Sequence, residues 1–551
     1  MKSAVPKNAY APVSQFDMDS TKTHVKDEEP KHVEKSIEAP ADFETAIEAC
    51  GFGRFNYLLL IVAIPAIMGT VYETGVVSFI LPSAECDLSL DLLDKGLLNA
   101  VTYCGMLVSV VAWGYLADNK GRKQLLIYGF LLDGICVVCG SMSQTVVQLM
   151  VSKFIGGFII CGPFAVLMSY LSEFHGSKHR SRIIMVIGIM FATSNIILSI
   201  MAIAILPRDW NFQIFNMNFV AWKVFMAVSG VPSLLAALLL PLFPESPRFL
   251  MAQGRVEEAM EAFRTMYAVN SGKPKDTYKI KALINEKAQE KNFPSVDAVS
   301  TKGQLKINME HEQKLKLVKD PNTFRILCSK PYLGLCLLVG VMQFFSVMGH
   351  NSMRLWLPQL FASINEYEQM SLEATSLCTI LEYSVNKTEL IKNPLEQCIV
   401  IITPSSYTNN LIVAGASFVS NLLAGTIINA VGSKGIQVIG LATAGLCSIS
   451  LFWSSSSLST LVITSLFIAM GSMANTAAIG TSVNLFPTSL RTLIVSLTMV
   501  VERMGTILGN VIFPIFMQLG CVPPFVMITV AMFFGCLIAA CLPNSKKINL
   551  K

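Results

Sequence analysis

The residues of this chain with most capacity for chemistry are charged side chains inside long apolar runs. Glu73, Asp133, Lys153, Glu502 and Arg503 each interrupt a run long enough to cross a bilayer. An ionised group at the centre of a span costs about 2.5–3.5 kcal/mol on insertion scales, so it must meet a partner or a wet cavity. Two readings of Glu73 and Arg503 stand side by side. In one, Glu73 takes up a proton or cation while Arg503 holds an anionic or hydroxylated solute. In the other, the two form an interhelical ion pair. Glu502 and Arg503 are adjacent, about 100° apart on a helix, so at most one points fully inward. For Asp133 and Lys153 a structural role is the stronger expectation. Gln343, His350, Asn351 and Arg354 follow i, i+3, i+4 spacing and are expected to share one helix face, the wall of a polar cavity. His350 either titrates near neutral pH or makes an interhelical bond. Asn475 is a further polar candidate, weaker because amides often join helices. A P-loop, a kinase-like glycine run and a nucleophile elbow are all missing from the sequence. Cys136-x-x-Cys139 sits inside an apolar run, where a thiol is a small hydrophobe. An enzyme, a metal centre and a bound cofactor are therefore not expected.

The elements that must position these groups are helices. Of 551 residues 53% are hydrophobic and 14% charged, against roughly 25% charged in soluble proteins. Runs of spanning length fall near 57–82, 96–117, 123–143, 148–171, 182–206 and 222–243, then near 331–357, 407–430, 435–453, 458–481, 492–517 and 522–542. The expected organisation is a polar, disordered tail over 1–55, a first group of six spans over 56–243, and a charged linker with short amphipathic helices over 244–330. A second group of six follows over 331–543, carrying a loop at 358–406, and a short tail at 544–551 ends the chain. No apolar leader precedes the first run, so insertion is expected to rely on that run itself.

Short loops assign sides. Lys120, Arg122 and Lys123, then Lys178, Arg180 and Arg182, make alternate loops basic, and the 244–330 linker is Lys-rich. The intervening loops carry Glu85, Asp87, Asp91 and Asp94, or Glu366, Glu368, Glu373 and Glu382. Basic loops stay in the cytoplasm, so both termini and the linker are expected there, in a plasma or vesicle membrane. The 358–406 loop then faces outward with the sequon Asn386-Lys387-Thr388, an expected glycosylation site, and with Cys378 and Cys398, an expected disulfide in an oxidising compartment. The net charge of +5 is spread between loops and does not suggest nucleic-acid binding.

The chain repeats itself. Gly114-Tyr-Leu-Ala-Asp118-Asn-Lys-Gly121-Arg122-Lys123 corresponds to Gly425-Thr-Ile-Ile-Asn429-Ala-Val-Gly432-Ser433-Lys434, and Glu173 with Arg180 corresponds to Asn484 with Arg491. Gly114 to Gly425 and Glu173 to Asn484 are each 311 residues apart. Two parallel six-span repeats place a cavity at their interface near the midplane. The first of these loops resembles the signature of the major facilitator superfamily. Pro244-Glu245-Ser246-Pro247-Arg248-Phe249-Leu250 and Asn484-Leu-Phe486-Pro487-Thr488-x-x-Arg491 are similar to motifs of its sugar and organic-ion porters. Gly51-Phe52-Gly53-x-Phe55, Phe79-x-Leu81-Pro82-Ser83-Ala84-Glu85 and Ser172-Glu173-Phe174 resemble the synaptic vesicle glycoprotein 2 group.

The resemblance implies an all-α membrane protein, with twelve transmembrane helices in two six-helix bundles that rock alternately open to either side. It also implies a cytoplasmic gate at Asp118, Arg122, Glu173, Arg180, Glu245, Arg248, Asn429, Asn484 and Arg491. This sequence departs from the pattern where acids are usual, at Asn429, Asn484 and Asn544, and has Ser433 for an Arg and Thr70 for an Asp. Neutral acceptors bond Arg about half as strongly as carboxylates do, so the second half of the gate is expected to be weak and the resting state inward-open. The expected function is secondary active transport of a small polar or charged organic solute by a lipid-embedded monomer, with a proton as candidate coupling ion. The alternative is a transporter-like membrane protein that no longer carries and acts as a binding or regulatory partner.

Overall fold

The computed structural model describes residues 40–214, 217–284, 332–370, 376–390, 402–486 and 490–543, with Leu327 and Ser329. Among these, twelve helices are long and apolar enough to cross a membrane. Spans 1–6 are Arg54–Ala84, Leu92–Ala117, Arg122–Ser141, Val146–Glu173, Met185–Ile205 and Ala221–Leu242. Spans 7–12 are Tyr332–Met370, Pro404–Ile428, Ala430–Trp453, Ser457–Ser482, Leu493–Gln518 and Val522–Cys541. Buried apolar side chains gather into two cores. One is built almost wholly from spans 1–6 and the segments flanking them, the other from spans 7–12. The exceptions lock the halves together: Leu355 and Tyr407 enter the first core, and Leu92 enters the second.

The turn after span 2 defines one end of the molecule, here the Arg122 face, and the loop after span 1 defines the other, the Glu85 face. The repeat is visible in the backbone of the Arg122 face. Gly121 (φ 94°, ψ 156°) ends the helix of span 2. Gly432 (φ 79°, ψ 155°) breaks the helix running from span 8 into span 9. Two residues on, each half repeats one bond. Lys123 donates to the Pro241 carbonyl (2.9 Å) at the end of span 6, and Lys434 donates to the Ala540 (2.8 Å) and Leu542 carbonyls at the end of span 12. A cation on the last carbonyls satisfies acceptors a helix end leaves open.

These glycines sit in a region that is essentially glycine-only, where another residue costs about 1–3 kcal/mol. A Cβ on Gly121 would also lie 2.6 Å from Glu245 Oε2, whereas one on Gly432 would meet nothing within 4 Å. G121A should therefore lower the melting temperature of the purified chain more than G432A; equal losses would show that Glu245 does not press on this turn.

Two expectations need correction. Residues 41–50 are not a disordered tail. Asp42 caps a helix Phe43–Ala49, whose stripe of Phe43, Ala46, Ile47 and Cys50 is buried. The stripe packs on a linker helix, Val256–Ser271. Asn270 on that helix donates to the Cys50 and Gly51 carbonyls and accepts from the Phe55 amide (2.9 Å). Ala41 pairs its backbone with Ala282 and Ile284. Second, span 7 does not end at 357. It runs through Pro358 to Met370, roughly 58 Å at 1.5 Å per residue, because Leu360, Phe361 and Ile364 continue its apolar face into the second core. A loop helix, Leu377–Leu390, then packs against it. Residues 1–39, most of 285–331 and 544–551 lie outside the described residues.

Burial raises the Cys50 thiol from an ordinary 9.0 to about 12, with its bond to the Tyr278 hydroxyl opposing. Because the folded value is the higher one, the folded form keeps its proton. Stability is then unaffected below the free-thiol range and is lost as pH rises from about 9 toward 12. At pH 8 a maleimide should label Cys50 only after unfolding; labelling of the folded chain would contradict this packing.

Candidate functional site

Two buried polar clusters lie in the bundles, one in each. In the first, span 1 brings Glu73 against Lys153 of span 4, Oε2 to Nζ 2.8 Å, both about 1% exposed. Glycine makes the approach possible: a Cβ on Gly156 would lie 2.2 Å from Glu73 Oε1, and one on Gly69 would lie 2.2 Å from Ser233 Oγ. Ser233 of span 6 donates to Asp133 Oδ2 of span 3 at 2.6 Å. Asp133 is wholly buried, and the charges of Glu73 and Lys153 act on it. Four helices thus meet on two carboxylates, one ammonium and one hydroxyl. Glu73 Oε1 and Asp133 Oδ1 have no hydrogen-bond partner.

In the second bundle, Gln343 of span 7 donates to Glu502 of span 11 at 2.5 Å. Ser346 donates to Asn475 Oδ1 of span 10 at 2.6 Å, and Asn351 donates to Thr506 of span 11 at 2.8 Å. Arg503 is half-buried, with Nη1 enclosed and without a hydrogen-bond partner. His350, two turns along the helix from Gln343, is buried as well. It turns to span 10, where its ring stacks on Phe467 at 6.3 Å and Gly471 leaves it room.

The sequence pairing of Glu73 with Arg503 is corrected. The cation on Glu73 is Lys153, and Arg503 lies beside the Glu502 charge. Asp133 and Lys153, expected to be structural, lie in the same cluster as Glu73. No sequence signal pairs them, since spans 1, 3 and 4 are apolar on every side and hydropathy does not fix their rotation.

At the Arg122 face the first bundle's motif residues come together. Glu245 accepts from the Arg122 (3.0 Å), Lys123 (2.9 Å) and Ser246 (2.9 Å) amides. Its carboxylate thus caps the N-terminus of span 3 and faces the positive end of that helix dipole. Ser246 donates to Glu173 at 2.5 Å. Arg122 lies 3.8 Å from Glu173 and over the Phe249 ring. Arg180 does not join them. It reaches Glu44 of the pre-span helix at 2.7 Å, and Arg180 and Arg248 both stand over the Phe43 ring. The side chains of Asp118, Asn429, Asn484 and Arg491 lie outside the described residues.

Cross-bundle bonds among the described residues occupy the half nearer the Glu85 face. Tyr407 donates to the Phe79 carbonyl (3.2 Å), Asn99 to the Leu355 carbonyl (3.4 Å), and Arg354 to the Tyr103 hydroxyl (3.2 Å). On that face Lys95, fully buried, pairs with Glu85 at 2.8 Å. The expected Cys378–Cys398 disulfide is also corrected: Cys378 is bonded to Cys521 at the head of span 12, Cα–Cα 5.1 Å. The loop helix packs against span 11 and the end of span 9, which brings a cysteine 143 residues away into bonding range. Cys398 lies outside the described residues, and Cys86 is also disulfide-bonded. Asn386 is exposed on the loop helix, at the rim of a cavity of about 240 Å³ lined by Leu381, Val385, Met517 and Cys521.

The chain matches the Sugar (and other) transporter family over residues 62–381. Synaptic vesicle glycoprotein 2B of Rattus norvegicus is 29% identical over 334 residues, which cover 60% of this chain and 48% of that protein. Synaptic vesicle glycoprotein 2A of Rattus norvegicus is 33% identical over 235 residues, covering 42% and 32%. The matched region is thus half or less of these relatives' length. Two solved structures share the fold. A D-xylose-proton symporter has a TM-score of 0.61 at 14% identity, over 90% of this chain and 99% of that one. The xylose transporter XylE from E. coli, in a partially occluded inward-open conformation, has a TM-score of 0.60 at 15% identity, over 88% and 98%.

Proposed function

We propose, since the chain belongs to the Sugar (and other) transporter family and has the major facilitator fold, that this multi-pass membrane protein carries a small polar organic solute by alternating access, coupled to a proton. The observation carrying this reading is the pair of buried polar clusters, one in each bundle, in a molecule whose described cross-bundle bonds gather toward one face. Gln343, Glu502, Arg503, Asn475 and Asn351 supply the amides, carboxylate and guanidinium that hold a hydroxylated or charged solute, with His350 behind them. The buried charges around Glu73, which is paired with Lys153, supply the proton-coupling site. With contacts drawn together at the Glu85 face, and Arg122, Glu173 and Glu245 bonded within their own bundle, the resting state is inward-open.

The Arg122 face is cytosolic on this reading, which puts both termini inside. Its basic loops support that, and so do the disulfides at Cys378–Cys521 and Cys86 near the opposite face, where an oxidising compartment keeps them. Asn386 then carries a glycan. A bound solute stabilises the folded chain by mass action, about 2.7 kcal/mol at a hundred times its dissociation constant. A panel of sugars, polyols and small organic ions should therefore contain compounds that raise the melting temperature, with the rise lost in Q343A. A panel without effect, or a rise unchanged in Q343A, would count against the cavity wall.

One observation favours the alternative, a partner protein that does not carry. Arg180 and Arg248, expected at the gate, are held by Glu44 and Phe43 of the pre-span helix. A clasp of that kind suits a molecule fixed in one state.

A further inference from the structure

We propose that Glu73, Lys153 and Asp133 form one coupling centre with a single labile proton, and that Asp133 carries it. This deepens the proton-coupled reading and rests on it. With every member ionised, the cluster holds two negative charges and one positive, leaving one carboxylate uncompensated. Placing an unpaired ion in the interior costs several kcal/mol. The centre therefore takes up one monovalent cation. Among the described residues no group of three or more His, Cys, Asp and Glu gathers as a metal site, whereas a proton needs a single lone pair.

The geometry decides which acid holds the proton. Glu73 has an ammonium at 2.8 Å, and Asp133 has only the Ser233 hydroxyl at 2.6 Å. The charged groups that act on Asp133 are Glu73 from span 1 and Lys153 from span 4, with Ser233 bonding it from span 6. On its own helix the Cys136 thiol stands in the field of the same three ionisable groups and donates to the Ser152 carbonyl. Ser233 occupies Oδ2, and Oδ1, fully enclosed, has no partner. The proton sits on that oxygen. When the bundle admits water, the Oδ1–H bond breaks, the electron pair stays on Asp133 as carboxylate, and the water leaves as hydronium. Returning the proton restores neutrality before the site closes again. Lys153 stays on Glu73 throughout.

The test is infrared difference spectroscopy of the full chain in lipid as bulk pH is stepped, following the C=O stretch given only by a protonated carboxyl. Asp133 is the one buried aspartate among the described residues, so labelling every aspartate carboxyl with heavy carbon marks it without a substitution. The expected result is a buried-carboxyl band, present near neutral pH, that moves with labelled aspartate. D133N should abolish that band. E73Q should abolish it too, because the remaining Asp133 and Lys153 balance. A band that moves only with labelled glutamate, survives D133N or persists undiminished in E73Q overturns the assignment. The readout needs no solute. Failure here beside intact solute accumulation removes only Asp133, whereas failure of accumulation beside the expected band removes the carrier reading.

Discussion

Replacing Lys153 with Met should destabilise the chain by about 3–5 kcal/mol, the usual cost of removing one partner from a buried ion pair. The ammonium is about 1% exposed and stands beside two carboxylates, and Met keeps the volume while deleting the charge. The loss should appear as a lower melting temperature and a lower yield of folded protein. Adding E73Q to K153M should recover much of it, since the carboxylate stranded by the first change then disappears. A fully additive double variant would mean that the two side chains do not interact in the folded chain.

Breaking the Cys378–Cys521 bond comes second in size. It ties the loop helix to the head of span 12 across 143 residues, and a bond of that kind is worth about 2–4 kcal/mol. C521S should lower the melting temperature under oxidising conditions and reduce the further fall that reductant causes, leaving only the part due to the Cys86 bond. The loop helix should become the first region open to protease, because Leu377, Ile380 and Leu381 pack into the second core beneath it. A wild-type chain whose melting is indifferent to reductant would contradict the pairing.

What could be read before folding, and what could not, divides along a physical line. Span number is composition summed over about twenty residues, so the twelve runs were plain, with ends off by a few residues except in span 7, which runs on to Met370. The Gly121 and Gly432 turns were legible because positive φ demands glycine, and the 311-residue spacing marked them as one device used twice. The partner of Glu73 was not legible. A soluble helix shows its buried side by amphipathic periodicity, but a span surrounded by lipid and by other helices is apolar all round. Its rotation is set by close packing at residues such as Gly156 and Gly69. The Cys378 partner was hidden for a related reason: sequence proximity favoured Cys398, whereas the loop helix and a span far along the chain share one place in space. The pre-span helix was missed because its stripe of Phe43, Ala46, Ile47 and Cys50 is short and set in polar sequence.

The Arg122 face also shows how the two repeats have diverged. Both halves keep the lysine that closes the end of their last span, Lys123 and Lys434. The first half keeps the carboxylates Glu173 and Glu245 as well, and uses them within its own bundle. The second half has Asn429 and Asn484 in the corresponding loops. A gate closing at this face would then have to draw most of its charge-assisted bonds from one side, as the inward-open resting state proposed above requires.

Solute accumulation in proteoliposomes containing the purified full chain, under an imposed pH gradient, is the most direct test of a proton-coupled carrier. At least one sugar, polyol or small organic ion should accumulate against its own gradient, collapse when the pH gradient is dissipated, and fail to accumulate in E73Q. A panel in which nothing accumulates under any imposed gradient, or accumulation that is undiminished in E73Q, would contradict it.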